Sequence, residues 1–238
     1  MKSSLMFKAA SIIEAICASD HPMAIKELTK VLDMPLPTVS RLSADLIEIG
    51  FLEKTDYHHL IPGIALMRLG YQAQFLSPLT EALKNPVDDY SRSSGLNAAV
   101  FCYQNNTFFR IYGTQQGASV QDPLRFTGAF LVLLAASGTK AEKAQDIIRK
   151  KYPDMPVTEQ VICDREFSVL QKQKSLTRVA PHRKWSITMP FFYDGITCAL
   201  SFYGTGKEDR TVEAEHFDIS KVLSRIRTNI DRVGKGED

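Results

Sequence analysis

A short segment near the start of the sequence places hydroxyl and guanidinium groups at helical spacing. Its apolar residues recur three or four positions apart, which predicts a helix with one buried face. These apolar residues are Val39, Leu42, Leu46 and Ile49. The opposite side then presents Thr38, Ser40, Arg41, Ser43 and Asp45. Hydroxyls can hydrogen-bond to base edges or phosphates, and the fork of Arg41 suits guanine, so this side could read a DNA major groove.

The start of this helix carries no polar cap. Pro37 suits the first helical position, which leaves Leu36 as the predicted N-cap. Leucine has no side-chain acceptor for the free amides of a helix start. A DNA phosphate could satisfy them, because a helix start favours an anion, and water is the alternative partner.

Two further helices and a β-ribbon are predicted around this segment. Apolar residues at helical spacing define a first helix (Leu5, Ala9, Ile12, Ile13, Ile16) and a second (Ile25, Leu28, Val31, Leu32). Residues 33–35 form a tight break, and Gly50 suits the left-handed position that ends the third helix. Residues 51–54 and 57–61 are typical of two short strands around a turn. Together these elements predict a winged helix-turn-helix.

Composition and charge narrow the possible classes of protein and of binding partner. The chain has 238 residues, 44% of them hydrophobic, which excludes a disordered or fibrous protein. Its formal net charge is +2, and residues 1–62 hold six Lys or Arg against eight Asp or Glu. Gross charge therefore does not favour a polyanion partner, and DNA binding would depend on a local arrangement of cations.

The sequence has no apolar run of about 18 residues and no secretory signal pattern, so we expect no membrane span. The four cysteines lie far apart without metal-site spacing, which predicts isolated, reduced core thiols in a cytoplasmic protein. They are Cys17, Cys102, Cys163 and Cys198. We expect neither a cofactor nor a metal.

Several segments together resemble the IclR-type family of bacterial transcriptional regulators. They are residues 8–13, 25–28, 34–42, 50–52 and 66–70, and the resemblance is strongest up to about residue 70. It implies a dimer or a dimer of dimers that binds a palindromic operator, with two recognition helices roughly 34 Å apart. The predicted DNA contacts are Lys26, Pro37, Thr38, Ser40, Arg41, Ser43 and Lys54.

The remainder of the chain predicts an α+β fold. Residues 64–76 are apolar on nearly every side, so this helix must be covered, either by a second copy or within one chain. Strands are predicted at 97–104, 107–112, 185–192 and 196–203, and helices at 124–136, 139–151, 165–174 and 212–233. A further helix starts at Pro78, with Leu79, Leu83, Val87 and Tyr90 on one face. Asn105-Asn106 suits the turn of the first hairpin, and Thr139 is placed to begin a capping box.

These patterns predict a two-domain α+β protein. The expected divisions are a winged helix-turn-helix DNA-binding domain at 1–62, a linker helix at 63–77 and an effector-binding domain at 78–238. The resemblance implies that the last is GAF-like, with an antiparallel sheet, and senses a small molecule such as an organic acid or an aromatic compound.

The resemblance also places Thr127, Ser186, Ser201 and Tyr203 near the ligand. A basic run over residues 172–184 adds the hypothesis that Arg178 or Arg183 pairs with an acidic effector. The alternative is a solvated loop, which is what charge runs usually form.

Two other functions stay open from sequence. No nucleophile elbow, phosphate loop, dinucleotide fingerprint or zinc-binding His pair is present, so nothing favours catalysis. The first alternative is still a small-molecule-processing α+β enzyme whose winged helix makes protein contacts. The second is a DNA-binding regulator whose C-terminal domain only oligomerises.

Overall fold

The computed structural model describes residues 4–55, 58–104, 107–114, 128–180, 182 and 184–235. The chain divides into two compact units, one ending at Ser77 and the other beginning at Pro78. The elements of the first unit are α1 (Leu5–Ala18), β1 (Met23–Ala24), α2 (Ile25–Leu32), α3 (Leu36–Glu48), β2 (Leu52–Lys54), β3 (His59–Pro62) and α4 (Ile64–Leu76).

The first unit is the predicted winged helix-turn-helix, built around one apolar core. Ile12 of α1, Leu28 of α2 and Val39 of α3 are completely buried together. Asp33 takes a left-handed conformation with φ of 49°, which ends α2 and lets the chain turn into α3. Gly50, with φ of 75°, has the left-handed conformation predicted for the end of α3.

The wing is a small antiparallel sheet with the strand order β1-β3-β2. The sequence did not predict β1, because two residues are too short to show an alternating pattern. The return from β3 to α4 requires glycine at position 63, since a Cβ there would lie 2.3 Å from the carbonyl oxygen of Gly50. Glu53 of β2 then accepts a hydrogen bond of 3.0 Å from the amide of Ile64, the first residue of α4.

The second unit is an antiparallel sheet between two layers of helices. Its elements are α5 (Pro78–Ser94), β4 (Asn97–Gln104), β5 (Thr107–Gly113), α6 (Gly128–Ala136), α7 (Ala141–Lys151), α8 (Val157–Leu170), β6 (Leu176–Ala180), β7 (Lys184–Tyr193), β8 (Ile196–Thr205) and α9 (Val212–Lys235). The strand order is β5-β4-β8-β7-β6. The described part of the chain therefore has the α+β fold that was predicted.

The two faces of the sheet carry separate apolar cores because side chains alternate along each strand. Leu200 and Phe202 of β8 pack against α5 and α9, whereas Ala199 faces the layer of α6, α7 and α8. On α5, the predicted face is buried at Leu79 and Leu83. None of the described helices is both long and apolar enough to cross a bilayer.

The layer beside α8 departs most from the predictions. The helix predicted at 165–174 is instead α8, which spans Val157–Leu170 and exposes apolar residues that obscure its pattern. The capping box predicted at Thr139 is wrong: Lys140 is the N-cap of α7 and makes no side-chain cap, while Thr139 hydrogen-bonds to Ser137. Strand β6 was not predicted, and the predicted turn at residues 105–106 lies outside the described residues.

The cysteines also differ from the prediction of isolated core thiols. Cys102 of β4 and Cys198 of β8 face each other in register, and their buried sulfur atoms lie 3.1 Å apart. The hydrogen bond between the Cys198 and Cys102 thiols, together with burial, raises the pKa of Cys198. Cys17 is exposed, and Cys163 is only half-buried.

Candidate functional site

Helix α3 presents the candidate DNA-binding face. Val39, Leu42 and Leu46 are buried on its inner side, which holds the helix by packing. Ser40 and Arg41 lie on the exposed side. Among the residues that the structure describes, no ion pair to Arg41 is found. Its guanidinium is thus available to an outside acceptor, as base-edge contact requires.

The start of α3 is arranged differently from the prediction. Leu36 is the first helical residue and Pro37 the second, so Pro35 is the N-cap in place of Leu36. Two of the positions at this helix start are prolines, which have no amide hydrogen. The amide of Thr38 donates to the carbonyl of Pro35 at 2.9 Å. These contacts leave the amide of Leu36 as the donor for water or a phosphate.

Ser43 corrects the predicted DNA-contact set. Its side chain was expected on the polar side of the helix, but only 1% of Ser43 is exposed. Its hydroxyl oxygen is buried without a hydrogen-bond partner among the described residues. Ser43 directly follows the buried Leu42, at the edge of the buried stripe. A helical periodicity cannot resolve such an edge position.

The other predicted DNA contacts lie at the surface. Lys26 of α2, Pro37 of α3 and Lys54 of β2 are exposed, and Thr38 is half-buried. The wing turn closes through the amide of Thr55, which donates to His59 at 2.9 Å.

A cavity of about 1030 Å³ opens in the second unit, beside the sheet face that carries α8. Its apolar wall includes Phe130 and Leu131 of α6 and Ile162 of α8. Arg178 of β6, Ser186 of β7 and Tyr203 of β8 line the sheet side. The volume is at the upper end of what small-molecule sites enclose.

The cavity brings together three of the predicted effector residues, Arg178, Ser186 and Tyr203. Ser201 does not line it: this side chain is buried and accepts a hydrogen bond of 2.9 Å from Thr188. Thr127 and Arg183 lie outside the described residues.

Arg178 is already engaged in the structure. Its Nε and Nη2 donate to the two carboxylate oxygens of Glu166 at 2.9 and 2.6 Å. This bidentate geometry is the strongest form of an Arg–carboxylate pair. The expected ion pair between Arg178 and an acidic effector would therefore have to compete with Glu166.

Sequence reasoning missed the wall that α8 contributes. Glu159, Ile162, Cys163 and Glu166 line the cavity at intervals of three, one and three residues. This spacing places them on one helix face. The signal was present, but the helix was predicted to begin at Arg165 and so excluded most of that face. Burial raises the pKa of the Cys163 thiol.

The described residues contain no group of three or more His, Cys, Asp or Glu side chains that could hold a metal ion.

His21, in the first unit, bridges two carboxylates: Nδ1 lies 2.8 Å from Asp20 and Nε2 lies 3.0 Å from Glu27. The ring donates to both carboxylates, and these hydrogen bonds raise the pKa of His21, the one to Asp20 more than the one to Glu27.

Comparison with known proteins shows what each part of this chain is similar to. Residues 7–56 match the model of the IclR helix-turn-helix domain. No curated protein sequence matches the chain. An IclR family transcriptional regulator from Brucella abortus has a similar structure, with a TM-score of 0.70 and 13% identity over 96% of this chain and 91% of that one.

Two other solved structures share this fold. An IclR transcriptional regulator from Alicyclobacillus acidocaldarius has a TM-score of 0.61 and 14% identity, covering 95% of this chain and 96% of that one. An IclR homolog from Microbacterium hydrocarbonoxydans, in complex with 4-hydroxybenzoate, has a TM-score of 0.61 and 14% identity, covering 96% and 99%. The resemblance predicted from sequence is confirmed: the chain carries an IclR-type helix-turn-helix domain and has the fold of IclR-family transcriptional regulators.

Proposed function

We propose that this protein is a cytoplasmic transcriptional regulator that binds operator DNA through the exposed face of α3. The observation that carries the proposal is the exposed guanidinium of Arg41, without an ion pair among the described residues, on the third helix of an IclR-type helix-turn-helix. Ser40 lies beside it on the same exposed face. Lys26, Pro37, Thr38 and Lys54 complete the proposed DNA contacts. Backbone contacts would position the helix, and Arg41 would read a base.

The proposal includes a dimer that forms through α4. This helix exposes Ile64, Met67 and Leu69, and 66% of Met67 is accessible in the single chain. Exposed apolar side chains along one helix favour a partner surface, and a second copy supplies a self-complementary one. Two copies of α3 could then occupy successive major grooves of a palindromic operator, whose half-sites lie about 10 base pairs apart.

The cavity beside α8 supports an effector function for the second unit. It joins an apolar wall to a few polar groups, which is the usual composition of a small-molecule site. One protein of this fold was solved with 4-hydroxybenzoate, an aromatic acid. Binding in the cavity would regulate operator affinity if the ligand prefers one of two arrangements of the dimer.

Selection of genomic DNA fragments by the full-length protein tests the DNA-binding proposal. We expect enrichment of a palindromic sequence and a gel shift that weakens steeply as salt rises, because phosphate contacts release counterions. Enrichment of no sequence above background would contradict the proposal.

Replacement of Met67 with Glu tests the dimer. A charge on the apolar face of α4 should convert the dimer to a monomer in sedimentation velocity, with weaker operator binding. Val157→Glu is the matched control, because Val157 of α8 is 74% exposed in the single chain and also apolar. Dissociation by Val157→Glu but not by Met67→Glu would move the interface to α8.

A further inference from the structure

The cavity wall on α8 contains one carboxylate oxygen that has no hydrogen-bond donor among the described residues. Oε2 of Glu159 is buried, and it accepts no hydrogen bond from any of the described residues. Glu159 lies on the same helix face as Ile162 and Glu166, so it belongs to the cavity lining. A buried acceptor without a donor is rare in folded proteins, and at a cavity wall a ligand can supply the donor.

Arg178, the arginine of the cavity wall that could bind an acid, already has a carboxylate partner. Glu166 holds Arg178 by two hydrogen bonds, and both side chains are largely buried. A carboxylate entering the cavity would meet a guanidinium that already has its counter-ion. It would also approach the negative charge of Glu159, which costs free energy in a partly desolvated site.

The remaining charged groups of the lining are Arg165 and Lys184. Both side chains are exposed, so water screens their charges. The inner surface includes Phe130, Leu131 and Ile162, which favour an apolar ligand body. The interior therefore combines apolar walls, a compensated arginine and two buried polar atoms without partners among the described residues: the acceptor Oε2 of Glu159 and the donor Nε1 of Trp185. A hydroxyl can donate to the first and accept from the second.

We propose that the cavity takes an apolar, ring-sized molecule that directs a hydroxyl or ammonium donor at Glu159, in place of a carboxylate directed at Arg178. This inference rests on the proposed effector function of the second unit. It differs from the hypothesis drawn from the basic run of residues 172–184, because the pairing of Arg178 with Glu166 only becomes visible in the structure.

Three probes with one scaffold test the proposal: 2-naphthylmethylamine, 2-naphthylmethanol and 2-naphthoate. Their binding to the full-length protein can be measured by calorimetry and, for weak binding, by saturation-transfer NMR. We expect the amine or the alcohol to bind at least about tenfold more tightly than the carboxylate, which corresponds to about 1.4 kcal/mol. The affinities of the amine and the alcohol, compared with each other, show whether the site recognises a positive charge or only a hydrogen-bond donor.

Two variants should shift the preference toward the carboxylate, each for a different reason. Glu159→Gln removes the negative charge and should reduce the advantage of the amine over the carboxylate at least about fivefold. Glu166→Gln leaves Arg178 without its counter-ion and should increase the affinity for 2-naphthoate. Glu142→Gln, on the exposed side of α7, removes the same charge away from the cavity and should change neither value.

Three results would overturn the inference: tightest binding of 2-naphthoate to the wild type, an unchanged preference in Glu159→Gln, or binding of none of the three probes. Melting temperatures of the variants show whether each is folded, and Glu166→Gln tests the argument independently if Glu159→Gln is not. Operator binding is measured on the same samples without ligand. Intact operator binding with a failed probe series rejects the ligand chemistry alone, whereas loss of operator binding by the wild type rejects the regulator.

Discussion

Arg41 in the first unit and two arginines of the second unit, Arg178 and Arg210, are held in opposite ways. In the first, Arg41 projects from α3 without an ion pair among the described residues. In the second, Arg178 is bound by Glu166, and Arg210 is bound by Glu215 and Asp218. An arginine binds an outside anion most readily where the fold leaves it uncompensated, since a bidentate carboxylate already uses its charge and donors. The number of cations in a segment therefore does not measure its capacity to bind anions.

The largest effect should come from removing a paired arginine of the second unit, which should lower the stability of the fold. Glu215 is completely buried and accepts hydrogen bonds from Tyr90 and from Nε of Arg210. Arg210→Ala leaves that carboxylate without its cation, which should lower the free energy of unfolding by about 3–5 kcal/mol. Urea denaturation measures the loss. The exposed Arg149 provides the control, and Arg149→Ala should change stability by less than about 0.5 kcal/mol.

Replacing the unpaired Arg41 should weaken DNA binding without lowering the stability of the fold. Arg41→Ala should weaken operator binding by about 1–3 kcal/mol and relax one base preference, while leaving the melting temperature unchanged. Arg41→Lys keeps the charge but loses the fork, so it should keep nonspecific binding and lose the base preference. Gel shifts on an operator series measure both. Unaltered affinity in Arg41→Ala would remove this residue from the reading surface.

Two serines of α3 sharpen the comparison within a single helix. The hydroxyl of Ser43 is buried without a partner among the described residues, so Ser43→Ala should be neutral or stabilise the fold by up to about 1 kcal/mol. Operator affinity should not change. Ser40→Ala, on the exposed side, should instead leave stability alone and weaken operator binding. The reverse pattern would mean that the DNA-facing side of α3 is assigned wrongly.

The smallest effect concerns pH. His21 lies between Asp20 and Glu27, and their hydrogen bonds hold its pKa above the ordinary value of about 6.5. Because the folded value is the higher one, protonated His21 stabilises the first unit fully below about pH 6.5 and loses this effect as pH rises through the folded pKa. An NMR titration should show the raised pKa.

Glu27→Gln should lower the pKa of His21, because the variant removes one of the two carboxylates that accept from the ring. Glu14→Gln, at an exposed position of α1, is the control and should leave that pKa where it is. Equal titration curves in the wild type and in Glu27→Gln would show that the bridge is not populated in solution.

Local signals made the first unit predictable. The apolar stripe that includes Val39 and Leu42 and the left-handed stop at Gly50 act over a few residues, so the sequence reveals them directly. The start and length of α4 were predicted for the same reason. The predictions failed at Leu36 and Ser43. Leu36 is the first helical residue and not the N-cap, which is a difference of one position. Ser43 lies one position from the predicted buried stripe and is itself buried.

The second unit was predictable in its hairpins and less so in its site. Strand β8 shows clear signals, whereas α8 exposes Val157, Val161 and Ile162, so its burial pattern does not follow its apolar residues. The cavity wall that α8 contributes was missed as a result.

The sequence by itself determined the helix-turn-helix, the apolar helix α4 and the antiparallel hairpins, because periodicity and turn residues fix backbone conformation over short distances. The tertiary structure alone decided that Arg178 faces Glu166, that Cys102 meets Cys198 across 96 residues of chain, and that Glu159 borders a cavity without a donor. Electrostatic and hydrogen-bonding partners are set by distance in space. Chain separation carries no information about that distance until the sheet and its helices are packed.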